Sequence, residues 1–293
     1  MNPSGNDRLY RYLFEGIGVR GALVHLDAAW QAVLERHPYP AAVIPHLGEM
    51  SAAVLLLSAT LKLKGALILQ AQGPGPVTAL IAQATHDRHF RSLARWSYEP
   101  EEEETLTEVT GDGHLVLTID PIEGKRYQGV VGLEGERLQD AIEHYFEHSE
   151  QLPTMIRLAA DTQRAVGLLI QILPSELRTE DDWARISLLT SSVRREELLG
   201  LSPKELLRRL YHEEDIRLFD PEPVAFRCTC SRERVGASLV ALGQSELKIM
   251  LAATGNIETT CEFCNRMYKF DAVDVEQMFR LNKPSHAAPL SPQ

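Results

Sequence analysis

The sequence predicts an α+β protein with a mixed strand-and-helix core, a helical linker and a small C-terminal four-cysteine domain. Three observations predict it. Up to about residue 174, strand-like and helix-like segments follow one another without the regular βαβ period of a parallel sheet. Residues 175–226 carry apolar residues at helical spacing. All four cysteines lie beyond Arg227, in two close pairs.

The elements follow in chain order. Asp27 to Arg36 reads as a helix, stopped by His37-Pro38-Tyr39-Pro40, because proline excludes helix at and before its own position. Met50 to Leu61 is small and apolar, as a buried helix requires. Leu61 to Gln72 alternates at Leu63, Leu67 and Leu69 and reads as a strand. Gly73-Pro74-Gly75-Pro76 is a turn, and Val77 to Ala84 resumes as a strand. Glu101 to Glu104 form a charged, solvated loop. Gly111-Asp112-Gly113 signals a hairpin leading into the strand Leu115 to Ile119. Tyr127 to Leu133 is a strand, Leu138 to Glu150 an amphipathic helix closed by Pro153, and Val166 to Leu173 a final apolar strand.

In the linker, Trp183, Ile186, Leu189 and Val193 share one helical face, and Gly200 ends that helix. Ser202-Pro203-Lys204-Glu205 combines a Ser cap, Pro at the first helical position and the Glu of a capping box. The helix continues through Leu206, Leu207, Leu210 and Tyr211, and Asp220-Pro221-Glu222-Pro223 stops the region. Such helices need a cover for their apolar face. The expected cover is the cysteine domain together with the core.

Composition narrows the function. Hydrophobic residues make up 44% and charged residues 24% of the 293 residues, which is ordinary globular usage. The formal net charge of −11 gives no bulk attraction to nucleic acid or to an anionic membrane. Four cysteines are too few for a disulfide scaffold. Asp7, Arg8, Arg11 and Glu15 interrupt the place of a signal-peptide apolar core. Ala52 to Leu69 carries Lys62 and Lys64, short of the about 20 apolar residues a spanning helix needs. The expected location is the cytoplasm, where thiols stay reduced or hold metal.

Cys228-Thr229-Cys230 and Cys261-Glu262-Phe263-Cys264 are separated by 30 residues. Two close pairs at that distance can fold into one tetrahedral thiolate site, which suits Zn²⁺. Four thiolates on one zinc leave about −2 of charge, which Arg227, Arg232, Arg234, Arg266 and Lys269 stand near enough to offset. The second pair reads as a knuckle between short strands, Ile257 to Thr260 and Met267 to Phe270, and Asn265 tolerates the left-handed conformation it needs. The expected zinc domain spans 227–283, followed by a flexible tail over 284–293. Tetrahedral geometry places sulfurs roughly 3.8 Å apart, whereas a disulfide needs about 2.05 Å. Oxidation therefore expels the metal. The nearest partners are sequence neighbours, which favours the local pairs Cys228–Cys230 and Cys261–Cys264. A ring closed across one intervening residue is strained and labile, as a switch requires.

With these residues in view, the chain resembles the redox-regulated heat-shock chaperone family of about 33 kDa, the 33 kDa chaperonins, over nearly its whole length. The resemblance rests on Arg227-Cys-Thr-Cys-Ser-Arg-Glu-Arg-Val235, Glu258-Thr-Thr-Cys-Glu-Phe-Cys264 with Tyr268 and Phe270, and Tyr127-Gln-Gly-Val-Val-Gly-Leu-Glu-Gly135. Ser149-Glu-Gln-Leu-Pro153, Leu47-Gly-Glu49 and Gly73 to Val77 support it. Arg91-Ser92-Leu93 departs from the family's usual Arg-Gly pair, which bears on a local turn in the core. The resemblance implies a holdase rather than an enzyme, inactive when reduced and zinc-bound and active when oxidised and zinc-free. It implies unfolded or oxidatively damaged client proteins as partners, ATP-dependent foldases downstream, and a homodimer in the active state.

Rival signals are weaker. His144-Tyr-Phe-Glu147-His148 has the form of one metalloprotease motif, but it lacks a third ligand and reads as an exposed helix edge with Tyr145 and Phe146 turned inward. His86-Asp-Arg-His89 reads as a polar loop. Two alternatives remain: a thiol–disulfide oxidoreductase using Cys261 and Cys264, and a structural zinc protein that binds nucleic acid.

Overall fold

The computed structural model describes residues 6–61, 64–101, 104–173 and 179–281. Contacts divide the chain into two units, Met1–Arg227 and Cys228–Gln293. In chain order the first unit carries β1 (Arg8–Phe14), β2 (Val19–Leu26), α1 (Ala28–Leu34), α2 (Val43–Thr60), β3 (Gly65–Gln72), β4 (Val77–Thr85), β5 (His89–Trp96), α3 (Leu106–Thr110), β6 (His114–Pro121), β7 (Tyr127–Gly132), α4 (Leu138–His148), β8 (Thr154–Ala160) and β9 (Ala165–Ile172). It continues with α5 (Glu180–Ser191), α6 (Arg195–Gly200), α7 (Pro203–Tyr211), β10 (Ile216–Leu218), β11 (Glu222–Pro223) and β12 (Ala225–Phe226). The second unit carries α8 (Arg232–Val240), α9 (Gln244–Thr254), β13 (Ile257–Thr260), β14 (Met267–Phe270) and α10 (Ala272–Leu281).

Two six-stranded sheets organise the first unit. One has the order β10-β1-β2-β9-β8, with β11 also pairing β1; the other runs β12-β5-β4-β3-β6-β7. The helix α2 explains their arrangement. It is apolar nearly all round and buries Val43, Leu47, Met50, Val54, Leu55 and Leu57, and a helix of that kind must be enclosed. It packs on β4 and β5 of one sheet and on β8 and β9 of the other. By length and composition α2 would pass for a membrane span, yet 67% of it is buried inside the protein. A Cβ at Gly48 would lie 2.3 Å from the Ala160 methyl, so only glycine allows helix and sheet to approach this closely.

The linker helices α5, α6 and α7 cover the other face of the first sheet. Ile186, Leu198, Leu206, Leu207, Leu210 and Tyr211 pack with Tyr12, Phe14, Val19, Leu23, Leu168 and Ile170. The Tyr211 ring meets Phe14 edge-on at 5.0 Å. The apolar faces that needed a cover therefore find it within their own unit, on the sheet. The Ser202–Glu205 capping box forms as expected, with Ser202 N–H donating to Glu205 Oε2 at 3.0 Å.

Most expected elements of the core appear within a few residues. Differences have physical causes. The buried helix starts at Val43, not Met50, because Pro45 falls in its first turn, where a missing N–H costs nothing. Leu63 lies outside the described residues, as do residues 102–103 of the charged loop, the start of the linker and the tail. Gly111-Asp112-Gly113 is not a hairpin: Gly111, at φ 68°, ends α3 and turns the chain into β6. Arg91-Ser92-Leu93 is not a turn but the middle of β5, where the Ser92 hydroxyl accepts from Ser51 at 2.7 Å. The helix expected to run to Gly200 breaks after Ser191 and restarts at Arg195. Beyond its stop at Asp220, the linker returns to the sheets: Glu222 pairs with Leu9 and binds Arg88 at 2.8 Å and Arg11 at 2.6 Å.

The second unit is small. Among the described residues its core holds six buried side chains: Leu239, Leu247, Ile257, Tyr268, Phe270 and Val275. Ser231 caps α8 by accepting from Arg234 N–H, and Gly255 closes α9 in the left-handed conformation at φ 76°. The hairpin β13–β14 joins its strands through residues 261–266, with Thr260 opposite Met267.

Candidate metal centre

The second unit brings Cys228, Cys230, Cys261 and Cys264 together. Their four Sγ atoms all lie within 4.8 Å of one another. Cys228 and Cys261 stand 3.7 Å apart, and Cys230 and Cys264 3.4 Å. All four are thiols, partly exposed. Two pieces of local structure supply them. Cys228 and Cys230 come from the segment between β12 and the start of α8. Cys261 and Cys264 come from the hairpin knuckle. There Cys264 N–H and Asn265 N–H both donate to Cys261 O, at 3.3 and 2.8 Å, and Cys261 N–H donates to Arg266 O at 3.0 Å. Asn265 adopts φ 56°, the left-handed conformation its residue type tolerates.

The donor set fits a soft tetrahedral ion. Sulfurs spaced near 3.4–3.7 Å approach the edge of roughly 3.8 Å set by Zn–S bonds. A disulfide bond, at about 2.05 Å, is much shorter than either contact. Both of these contacts run between the two pairs, from the C-x-C arm to the C-x-x-C knuckle.

Tyr268 adds a feature the motif alone does not reveal. Its hydroxyl donates to Cys230 Sγ at 3.0 Å. Burial pushes the Cys230 thiol up, but hydrogen bonds from Tyr268 and the neighbouring thiols outweigh it and bring it down to about 7. Burial, joined by the Cys230 and Cys228 thiols, pushes Cys264 up to about 12, and burial also raises Cys261. Tyr268 stands opposite Thr259 in the hairpin, one pair inward from the knuckle, and its sequence signal is its place with Phe270 just after the second cysteine pair.

The expected counter-charges divide. Arg232 binds Asp274 at 2.6 Å and covers the Phe270 ring at 4.4 Å, and Lys269 binds Glu258 at 3.0 Å. Arg234 donates to Thr229 O at 2.9 Å and so braces the C-x-C arm. The Tyr268 hydroxyl, and then the Cys230 and Cys264 sulfurs, raise the Arg266 pKa.

Among the described residues, these cysteines form the one group of three or more potential ligands close enough to share an ion. His144 and His148 stack at 4.1 Å on the outside of α4, with Tyr145 and Phe146 buried beneath. His86 contacts Asp87 at 3.2 Å in the turn before β5. A separate polar cavity of about 650 Å³ in the first unit is lined by His46, Glu49, Glu104, Arg137 and Arg195.

The fold and the thiol cluster define a class: a sheet-based α+β protein ending in a small cysteine unit fit to hold zinc. Comparison with known proteins gives the family. The family described as "Hsp33 protein" matches residues 7–271. A "33 kDa chaperonin" of Nitrosococcus oceani is 53% identical over 277 residues, covering 94% of this chain and 95% of the relative. One from Shewanella loihica is 46% identical over 274 residues, covering 94% and 96%. The crystal structure of the 33 kDa chaperonin from Thermotoga maritima superposes with a TM-score of 0.79 over 95% of this chain and all of that one, at 20% identity, and so shares the fold. The chain belongs to the Hsp33 family of chaperones.

Proposed function

We propose that the protein is a redox-regulated holdase of the cytoplasm, inactive with its four cysteines reduced and on zinc, and active once they are oxidised. The observation that carries this reading is the convergence of all four sulfurs within 4.8 Å in a unit with six buried core side chains. Bound zinc would supply folding free energy there, on the order of 10–16 kcal/mol. The chain's own core of that size rarely supplies more than about 3–5 kcal/mol. Closing each disulfide from two thiolates sends two electrons to one peroxide molecule, which takes two protons from solvent and leaves as two waters. Each closure draws two sulfurs to bonding distance and removes two thiolates from the donor set. The second unit then unfolds.

Residues 1–174 serve as the client-binding core, 175–226 as the linker and 227–283 as the switch. Oxidation frees the linker helices and uncovers the sheet face of Tyr12, Phe14, Leu23 and Ile170 now beneath them. A large exposed apolar face is what a holdase requires. Clients are unfolded or oxidatively damaged proteins, passed on to ATP-dependent foldases, and the active form is a homodimer. The clustered thiols suit a reducing compartment.

The test is aggregation of a heat-unfolded enzyme. Peroxide-treated protein suppresses it, reduced protein does not, and a chain ending at Phe226 suppresses it in both conditions. A folded, monodisperse truncation that stays inactive beside an active oxidised full chain would overturn the uncovering step. Peptide mapping is expected to recover Cys228–Cys230 and Cys261–Cys264; a dominant Cys230–Cys261 link would overturn the local pairing. The oxidoreductase alternative needs a reactive C-x-x-C thiol. Cys261 and Cys264 instead sit in the hairpin knuckle between β13 and β14, not at the helix N-terminus that lowers such a thiol. Insulin reduction measures that alternative directly.

A further inference from the structure

The motif Tyr127-Gln-Gly-Val-Val-Gly132 takes no part in the cysteine site. It is β7, the outermost strand of its sheet, paired with β6 on one side only among the described residues. Leu133 N–H donates to Gly113 O at 3.1 Å, which sets the phase of the ladder. Antiparallel pairs alternate, so Val131, Gly129 and Tyr127 turn their main chain toward β6. Gln128, Val130 and Gly132 turn theirs outward. No hydrogen bond among the described residues takes up those outward groups.

The other edges of the two six-stranded sheets are guarded. On β8, the outward Ile156 N–H donates to Glu143 Oε1 at 2.8 Å and Leu158 N–H to Gln139 Oε1 at 3.4 Å, both from α4. At the far ends of the two sheets, β12 is two residues long and β10 three, the latter with Arg217. By contrast β7 is six residues without a charge or a proline, and Val130 is 62% exposed. Proteins normally blunt such edges, because a free edge templates the addition of another strand.

We propose that the β7 edge is a docking strand for an extended segment of unfolded polypeptide, held by main-chain hydrogen bonds to Gln128, Val130 and Gly132. The inference rests on the holdase reading and supplies it with a client site. Main-chain pairing is indifferent to sequence, which suits clients that share only an exposed backbone. A second copy of the chain fits poorly: three outward residues per copy fall far short of the ~800 Å² per partner buried in a stable dimer. One such contact holds a client weakly in either redox state. Oxidation adds the apolar face beneath α5–α7 to it.

The probe is a short, uncharged, β-prone peptide, labelled, with an N-methylated version that cannot donate at alternate amides. Both are titrated into the full chain, reduced and peroxide-treated. Binding is expected to slow hydrogen exchange at Gln128, Val130 and Gly132, and the N-methylated peptide is expected not to bind. Val130→Pro removes an outward N–H and Val130→Lys adds an edge charge; each is expected to weaken binding about fivefold, the worth of roughly one hydrogen bond. Both change an exposed side chain, and melting checks that they fold; wild-type exchange decides the matter if they do not. Unchanged affinity in a folded variant overturns the proposal, as does a peptide that leaves those three amides unprotected. Protection that appears without peptide, as the mass doubles, assigns the edge to a second copy and also overturns it. Aggregation assays on the same samples separate the two ideas. Suppression unaffected by blocking β7 sinks the docking strand alone, whereas peptide protection at β7 without suppression by oxidised wild type sinks the holdase reading alone.

Discussion

The two units hold their folds by different means. The first encloses an apolar helix between two sheets, and Trp30, Leu47, Met50 and Leu55 are all fully buried. Among the described residues the second has six buried core side chains, of which Tyr268 and Leu239 keep 8% exposure, beside its cluster of four thiols. A unit built on area answers to packing. In the proposed holdase reading, the thiol-bearing unit answers to metal and oxidant, which places that sensitivity in residues 228–281 and leaves the core around α2 as a stable platform.

The largest expected effect tests that contrast directly. Removing metal with a chelator, or replacing Cys264 by Ser, is expected to withdraw on the order of 10 kcal/mol from the second unit. Hydrogen exchange is then expected to reach the fast limit in α8, α9 and α10 while α2, β4 and β9 stay protected. Protected amides in α8–α10 after complete metal removal would collapse the distinction between the two units.

The converse experiment is a cavity in the platform. Leu55→Ala leaves a void where the side chain is fully buried, and such changes cost about 2–5 kcal/mol. The urea midpoint of the first unit falls by the corresponding amount, while metal affinity stays within experimental error, since independent sites do not couple. A loss of metal affinity in this variant would show that the two units share their stability.

What the sequence made legible follows the same division. The convergence of the four cysteines was readable because they come in two short motifs of one residue type, and Asn265 even announced its backbone conformation. The strands β1 and β8 were not. Leu9 faces the α2 side and Tyr12 and Phe14 the α5–α7 side; Ile156 and Ala159 divide in the same way. A strand between two apolar layers has no polar face, so it shows no alternation. At five residues, α3 is too short for a helical period, although Thr105 and Glu108 form its capping box. The edge position of β7 depends on which strands pair, which a single chain does not display.

A smaller effect lies in the platform's polar cavity. Glu49 is held at about 7 rather than 4.5, because burial outweighs the attraction of Arg195 and Arg137. Its carboxylate stands 3.9 Å from Arg195 Nη1 with 16% of the side chain exposed. A folded-state pKa above the unfolded one means the native state binds the proton more tightly. That contribution is fully present below 4.5 and lost as pH rises through 7. Glu49→Gln is therefore expected to stabilise the first unit by about 1–3 kcal/mol at pH 8, with the advantage shrinking to nothing as pH falls to 4.5. Urea unfolding across that range measures it. A pH-independent difference would mean Glu49 titrates alike in both states.

The smallest expected effect belongs to the knuckle, and it tests whether metal affinity in the second unit is set by backbone as well as by sulfur. Asn265 stands at φ 56°, immediately after Cys264, and its N–H donates to Cys261 O at 2.8 Å. An ordinary L-residue pays about 1 kcal/mol or more in that conformation, whereas glycine adopts it freely. Folding and metal binding are one event in a unit of this kind, so strain in the knuckle reads out as affinity. Asn265→Ala is expected to weaken zinc binding about fivefold, and Asn265→Gly to hold it near wild type. Competition with a chromophoric chelator resolves a change of that size. If alanine and glycine weakened binding equally, the asparagine side chain and not its backbone conformation would be what the site needs.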